Sequence, residues 1–330
     1  MDELNVSHVT LTGYVEMSKY RCLYFSVLFA AYVLIVCSNA TIVCLIWTHK
    51  NLHQPMYVFI AALLFNCLLY STTVYPKLLI DFLSETPVVS VSSCLLQFFL
   101  FYSIGGTEFW LIASMAFDRY VSICRPLRYP AIMRRSTVKA LLILAWLVPA
   151  CHIAPEAILS AKTRMCRSDL SGIFCNNAVF TLHCTRPRSL TVLGVVALLD
   201  LVILPMLFTV FTYTKIFITS RQSGKSFRRK AAETCVPHLM VLISFSYLAA
   251  YDVAVADFSR TAGFQFCLKL FRLMKRLVLH LLYQEAGHVF KNNSSIQIPH
   301  SSFVSHVSLT CRFSGCVINK HFWHRSYCIL

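Results

Sequence analysis

Residues 23–47 read LYFSVLFAAYVLIVCSNATIVCLIW, 25 consecutive positions without an Asp, Glu, Lys or Arg. A helix needs about 20 apolar residues to cross the hydrocarbon core of a bilayer, and it satisfies its backbone polar groups internally. The stretch therefore reads as a membrane span. Residues 56–75 and 88–107 are equally free of formal charge. Three more runs are each interrupted by a carboxylate: 140–161 by Glu156, 189–214 by Asp200 and 237–256 by Asp252. That makes six candidate spans. Composition agrees, with 57% hydrophobic and 13% charged residues and a mean hydropathy of +0.63, where soluble domains carry about a quarter charged residues. Met1-Asp2-Glu3 lacks the basic start of a secretory signal, so the first span is expected to stay in the protein.

A net charge of +16 invites a nucleic-acid reading, but the cations lie in the connections between apolar runs and not on one compact soluble face. Nucleic acid is therefore not the expected partner. The connection after the third run holds Arg119, Arg125, Arg128, Arg134, Arg135 and Lys139; the one after the fifth holds Lys215, Arg221, Lys225, Arg228, Arg229 and Lys230. Both fall on one side, which the positive-inside rule makes cytoplasmic and which leaves the N-terminus outside. The connection between the fourth and fifth runs is also basic, with Lys162, Arg164, Arg167, Arg186 and Arg188 against Asp169; its length dilutes its weight.

The tail carries the sequon Asn5-Val6-Ser7, a glycosylation acceptor if it faces the lumen. Pro55, after Leu52-His53-Gln54, biases Gln54 away from helix and can open the second span. Pro126 turns the loop after the third span along the membrane surface. Cys94 opens the third span at its outer end, and Cys166, Cys175 and Cys184 stand nine residues apart in the following outer loop. Four cysteines in an oxidising compartment permit three complete pairings. They form no metal site, because no close Cys-x-x-Cys pair or convergent histidines accompany them.

Asp118-Arg119-Tyr120 closes the third run. An arginine there can satisfy a nearby carboxylate in one state and reach a partner in another. Glu108, earlier in the same helix, is an intramembrane carboxylate, and such groups face a bundle interior or a water-filled cavity. Phe98, Phe101, Tyr102 and Gly105 repeat at helical spacing in the outer half of the third run and are candidates to line a ligand pocket. Gly105 and Gly106 either leave pocket volume or let helices approach closely. Tyr247 and Tyr251, four apart in the sixth run, can add an aromatic polar wall. Arg228, Arg229 and Lys230 at the foot of that run attract anionic lipid or an acidic partner, and His238 within it is a candidate coupling switch.

Taken in order, Leu52-His53-Gln54-Pro55-Met56-Tyr57, Met115-Ala116-Phe117-Asp118-Arg119-Tyr120-Val121-Ser122-Ile123-Cys124 and Lys230-Ala231-Ala232-Glu233-Thr234-Cys235-Val236-Pro237-His238-Leu239 resemble the odorant receptors of the rhodopsin-like G-protein-coupled class, the fish-type members especially. The likeness covers residues 20–255 or so. It implies an all-α membrane protein of the plasma membrane, a seven-helix receptor-like bundle that binds a small-molecule odorant, activates a stimulatory heterotrimeric G protein and needs no cofactor. It further implies that Cys94 pairs with Cys175 and Cys166 with Cys184, that Arg119 is the G-protein-facing switch restrained by Asp118, and that Glu108 is the acidic residue common in the third helix. Activation is then a population shift between helix packings. Cys67 stands where many rhodopsin-like receptors place the second-helix aspartate of a sodium site, so that site is not carried over.

The end of the chain departs from the family pattern. Six spans are clear; Lys269, Arg272, Lys275 and Arg276 put the seventh in doubt, because four basic residues in lipid are costly. Leu268, Phe271, Leu273, Leu277, Val278 and Leu281 suit an amphipathic interfacial helix instead. No Asn-Pro-x-x-Tyr occurs there. The chain thus divides into an outer tail (1–22), a receptor-like core (23–259), an atypical seventh-helix or amphipathic segment (260–290) and a polar, poorly ordered tail (291–330). The rival reading is a non-signalling receptor-like membrane interaction protein with a defective seventh helix. A transporter lacks its paired interrupted spans, and no nucleophile stands beside a base to suggest an enzyme.

Overall fold

A computed structural model of the protein describes residues 7–13, 21–49, 53–170, 172–185 and 187–221. Five helical rods within them are long and apolar enough to cross a membrane. They are α1 (Arg21–Thr48), α2 (Pro55–Leu83), α3 (Val91–Cys124), α5 (Arg135–Lys162) and a continuous rod made of α6 (Arg188–Leu198), a π turn (Leu199–Ile203) and α7 (Leu204–Arg221). A 3-10 turn at Pro126–Arg128 and the single-turn α4 (Tyr129–Ile132) join α3 to α5. The apolar run at 237–256 and the segments 260–290 and 291–330 lie outside the described residues.

Local chemistry sets these boundaries. Gln54 is extended and Pro55 takes the first helical position of α2, where its missing N–H is no loss. The charge-free window of the third span starts at Val88, yet Val88–Ser90 is a strand, β2. The β-branched pair Val88-Val89 favours extension, and Ser90 then caps α3 by accepting the Ser93 N–H at 3.2 Å. At the other end α3 runs past Glu108 to Cys124. Its 34 residues make a rod of about 51 Å, longer than the hydrocarbon core is thick.

The bundle is organised around α3, the most buried of the five spans. It packs against α2, α5 and α7, while α1 packs on α2 and α6 on α5. The outward faces carry large apolar side chains such as Phe29, Ile80, Ile143, Leu207 and Phe211, as expected where lipid is the solvent.

One end of the bundle is closed by a small cap. Strand β1 (His8–Leu11) is the middle of a three-stranded sheet, order β2-β1-β3, with β3 at Asp169–Leu170. It runs antiparallel to β2 (Val9 opposite Val89) and parallel to β3 (Leu11 opposite Leu170). Val9, Leu11 and Leu170 are buried in the main apolar cluster, so the N-terminal strand is part of the core at this end. Disulfides Cys94–Cys175 and Cys166–Cys184 secure the loop that follows α5, the first to α3 and the second to itself.

Candidate functional site

Beneath the cap, the N-terminal turns of α3 present an aromatic cluster. Phe98 is buried, with its ring centroid 4.8 Å from Tyr102 and 5.2 Å from Phe180 of the loop. Phe101 meets Tyr70 of α2, Tyr102 and Phe174, each at 5.1 Å. The Tyr102 hydroxyl donates to Asn177 Oδ1 at 2.9 Å and accepts the Asn177 N–H at 3.0 Å. Gln97 accepts the Cys175 N–H at 3.1 Å and donates to the Thr73 carbonyl at 3.2 Å, locking loop, α3 and α2 together. Three of the four predicted lining residues of α3 therefore meet one another and the loop.

The fourth, Gly105, lies one turn further in. A Cβ added there would meet nothing within 4 Å, whereas one on Gly106 would stand 3.0 Å from Pro149 Cβ and 3.3 Å from Leu201 Cδ1. The neighbouring glycines divide the two roles: Gly105 leaves room, and Gly106 lets α3, α5 and the π turn meet. Gly106→Leu is expected to overpack this crossing by about 1–3 kcal/mol and to lower the melting temperature of the purified protein. Gly105→Ala should leave the melt unchanged. Equal shifts for both would contradict the assignment.

Glu108 is buried at mid-length of α3, about 26 Å from its start. Asn66, not Cys67, reaches it from α2: the Asn66 side chain donates to the Ile104 carbonyl at 3.0 Å and also interacts with the Glu108 carboxyl. At the far end of α3, Asp118 is fully buried. Its Oδ2 accepts Arg119 Nε at 3.0 Å and a second guanidinium N–H, and its Oδ1 accepts the Tyr129 hydroxyl of α4 at 2.8 Å. Burial, and then the bond to Asp118, push the Tyr129 hydroxyl up to about 12. Tyr120 packs between the clusters around Phe59 and Tyr213, and Cys124 contacts Thr219 of α7 at 3.6 Å.

Residues 38–271 match the family of 7 transmembrane receptors (rhodopsin family). Human olfactory receptor 13C2 is 34% identical over 238 residues, 71% of this chain and 75% of that protein. Human olfactory receptor 11A1 is 33% identical over 243 residues, 73% and 77% of the respective chains, and human olfactory receptor 5H8 is 33% identical over 246 residues, 73% and 80%. The chain belongs to the rhodopsin family of seven-transmembrane receptors, in its olfactory branch. It is a multi-pass plasma-membrane receptor, and small-molecule ligands and G proteins are the partners of its family.

Several features of the receptor site had no sequence signal of their own. Tyr129 is eleven residues beyond Asp118 and reaches it only because the chain folds back at Pro126. Tyr70, Phe174 and Asn177 join Phe101 and Tyr102 from a different helix and from a loop. Asp200 interrupts the fifth apolar run. Its rod begins at Arg188, so it sits about 18 Å along it, in the π turn, 3.5 Å from His152 of α5. His183 of the loop bonds Ser160 at 3.0 Å. Asn5, Lys230, His238, Tyr247 and Tyr251 lie outside the described residues.

Proposed function

We propose that this receptor binds a small-molecule odorant beneath the disulfide-held cap, among Phe98, Phe101, Tyr102, Gly105, Tyr247 and Tyr251, and activates a stimulatory heterotrimeric G protein from the Asp118 end. The observation that carries the reading is the course of α3. One rigid rod holds the aromatic cluster and the open space at Gly105 near one end, Glu108 at mid-length and the Asp118–Arg119–Tyr129 contact at the other. A ligand that favours one packing of α3 against α2, α5 and α7 then biases the opposite end by its differential affinity for the two states. Lys230, His238 and Tyr120 are assigned to coupling, and Asn5 to glycosylation on the outer side. The cations of the α3–α5 connection support a cytoplasmic Asp118 end and an extracellular N-terminus.

The test combines surface display with cyclic-AMP measurement across a broad odorant panel. A response that Arg119→Ala abolishes at unchanged surface density supports the mechanism; normal display with silence across the panel counts against it. Accessibility tags before Leu23 and after Leu330 on intact cells report the span count. Opposite sides imply seven spans, whereas two external ends imply six and remove the seventh helix from the reading.

A further inference from the structure

We infer that the Asp118 end of α5 is a binding site for a multiply phosphorylated inositol lipid headgroup. Arg125, Arg128, Arg134, Arg135 and Lys139 are all exposed, and among the described residues none of them is in an ion pair. No Asp or Glu occurs anywhere in residues 119–155. The carboxylate nearest in sequence, Asp118, is buried and engaged by Arg119 and Tyr129. In sequence the α1–α2 connection adds Lys50 alone, whereas the connection after the fifth run is basic as well, so the variants below change the α3–α5 cluster by itself.

Placement selects lipid. Lys139, Ile143 and Leu147, four residues apart, follow one slanting row on the surface of α5. Ile143 is 63% exposed and Leu147 54%, as side chains in contact with acyl chains should be. Lys139 therefore stands where that row meets the headgroup layer, with Arg134 and Arg135 one turn nearer the water. Clusters of four to eight cations directly beyond a membrane span are the pattern that attracts anionic lipid. Guanidinium forks suit phosphate oxygens, and three cations within two turns suit several phosphates on one headgroup better than the single net charge of a phosphatidylserine. The site rests on the orientation proposed above only for which leaflet supplies the lipid.

The test uses the full-length receptor in phosphatidylcholine nanodiscs, where both ends are accessible, titrated with dioctanoyl phosphatidylinositol 4,5-bisphosphate. R134Q/R135Q/K139Q should weaken binding about tenfold or more. The lysine-for-arginine pair R134K/R135K should retain most of it. K162Q/R167Q/R188Q, which removes as many cations at the opposite end, should leave it unchanged. Equal loss in that opposite-end variant, no loss in the first, or equal displacement by dioctanoyl phosphatidylserine at matched charge would overturn the site. Should the triple variant fail to fold, Arg135→Gln and Lys139→Gln singly carry the same comparison against Arg167→Gln. Because binding is read without ligand or G protein, the outcome is independent of the signalling reading.

Discussion

Replacing Cys94 or Cys175 with serine is expected to abolish delivery of the receptor to the cell surface, whereas replacing Cys166 or Cys184 should reduce it only in part. The Cys94–Cys175 bridge closes a loop of 81 residues that includes most of α3 and all of α5; Cys166–Cys184 closes one of 18. On the chain-entropy account these are worth about 4.5 and about 3 kcal/mol, on the order of half and a third of a typical folding free energy. The first also has more depending on it. The Cys175 N–H is held by Gln97, and Leu170, Val9 and Leu11 share the apolar cluster that contains both of its cysteines. Losing the bridge frees the loop, β3 and, through the sheet, the N-terminal strand. Flow cytometry of an N-terminal tag on intact cells, normalised to total protein, reads the effect. Wild-type surface density in Cys94→Ser would refute the ranking.

Much of this architecture was legible as absence of charge. Five of the six windows fall on described residues, and each coincides with a helical rod. The errors are at the ends and have physical causes. The charge-free window of the third span stops just before Glu108, but the helix continues through it to Cys124, as the Asp118-Arg119-Tyr120 at its foot implies, because the carboxylate is buried between helices with Asn66 beside it. The same window began three residues early, because Val88-Val89-Ser90 is as apolar in a strand as in a helix. Strand β1 was invisible in the tail: its partners are the α2–α3 connection and a loop some 160 residues away, and four residues carry no periodicity without them. The site followed the same rule. Phe98, Phe101 and Tyr102 could be grouped by helical spacing because one element supplies them, while Tyr129, Tyr70 and Asn177 reach the site only through tertiary folding.

Asp118→Asn is expected to raise ligand-independent cyclic AMP severalfold per receptor at the surface. The wild-type carboxylate is fully buried, with Arg119 on one oxygen and Tyr129 on the other. Hydrogen bonds to charged groups contribute about 1.5–3 kcal/mol each. If they form only in this packing, removing the charge shifts the ratio of the two states by about tenfold or more. Arg119→Ala frees the same carboxylate but also removes the group assigned to the G protein, so that variant should be silent. Tyr129→Phe takes away one donor and should raise basal signalling less than Asp118→Asn does. With its folded value pushed up to about 12 against an ordinary value of about 10, the Tyr129 hydroxyl is a donor at every physiological pH. Its contribution is complete below about 10 and is lost only as pH climbs towards 12, so the Tyr129→Phe effect should be the same at about pH 6 and about pH 8. The double variant separates restraint from general loosening. Because Tyr129 acts through the Asp118 carboxylate, Asp118→Asn with Tyr129→Phe should add little to Asp118→Asn alone. Additive increases, or basal signalling in Asp118→Asn no higher than wild type at equal surface density, would show that the contact does not hold the receptor in its resting packing.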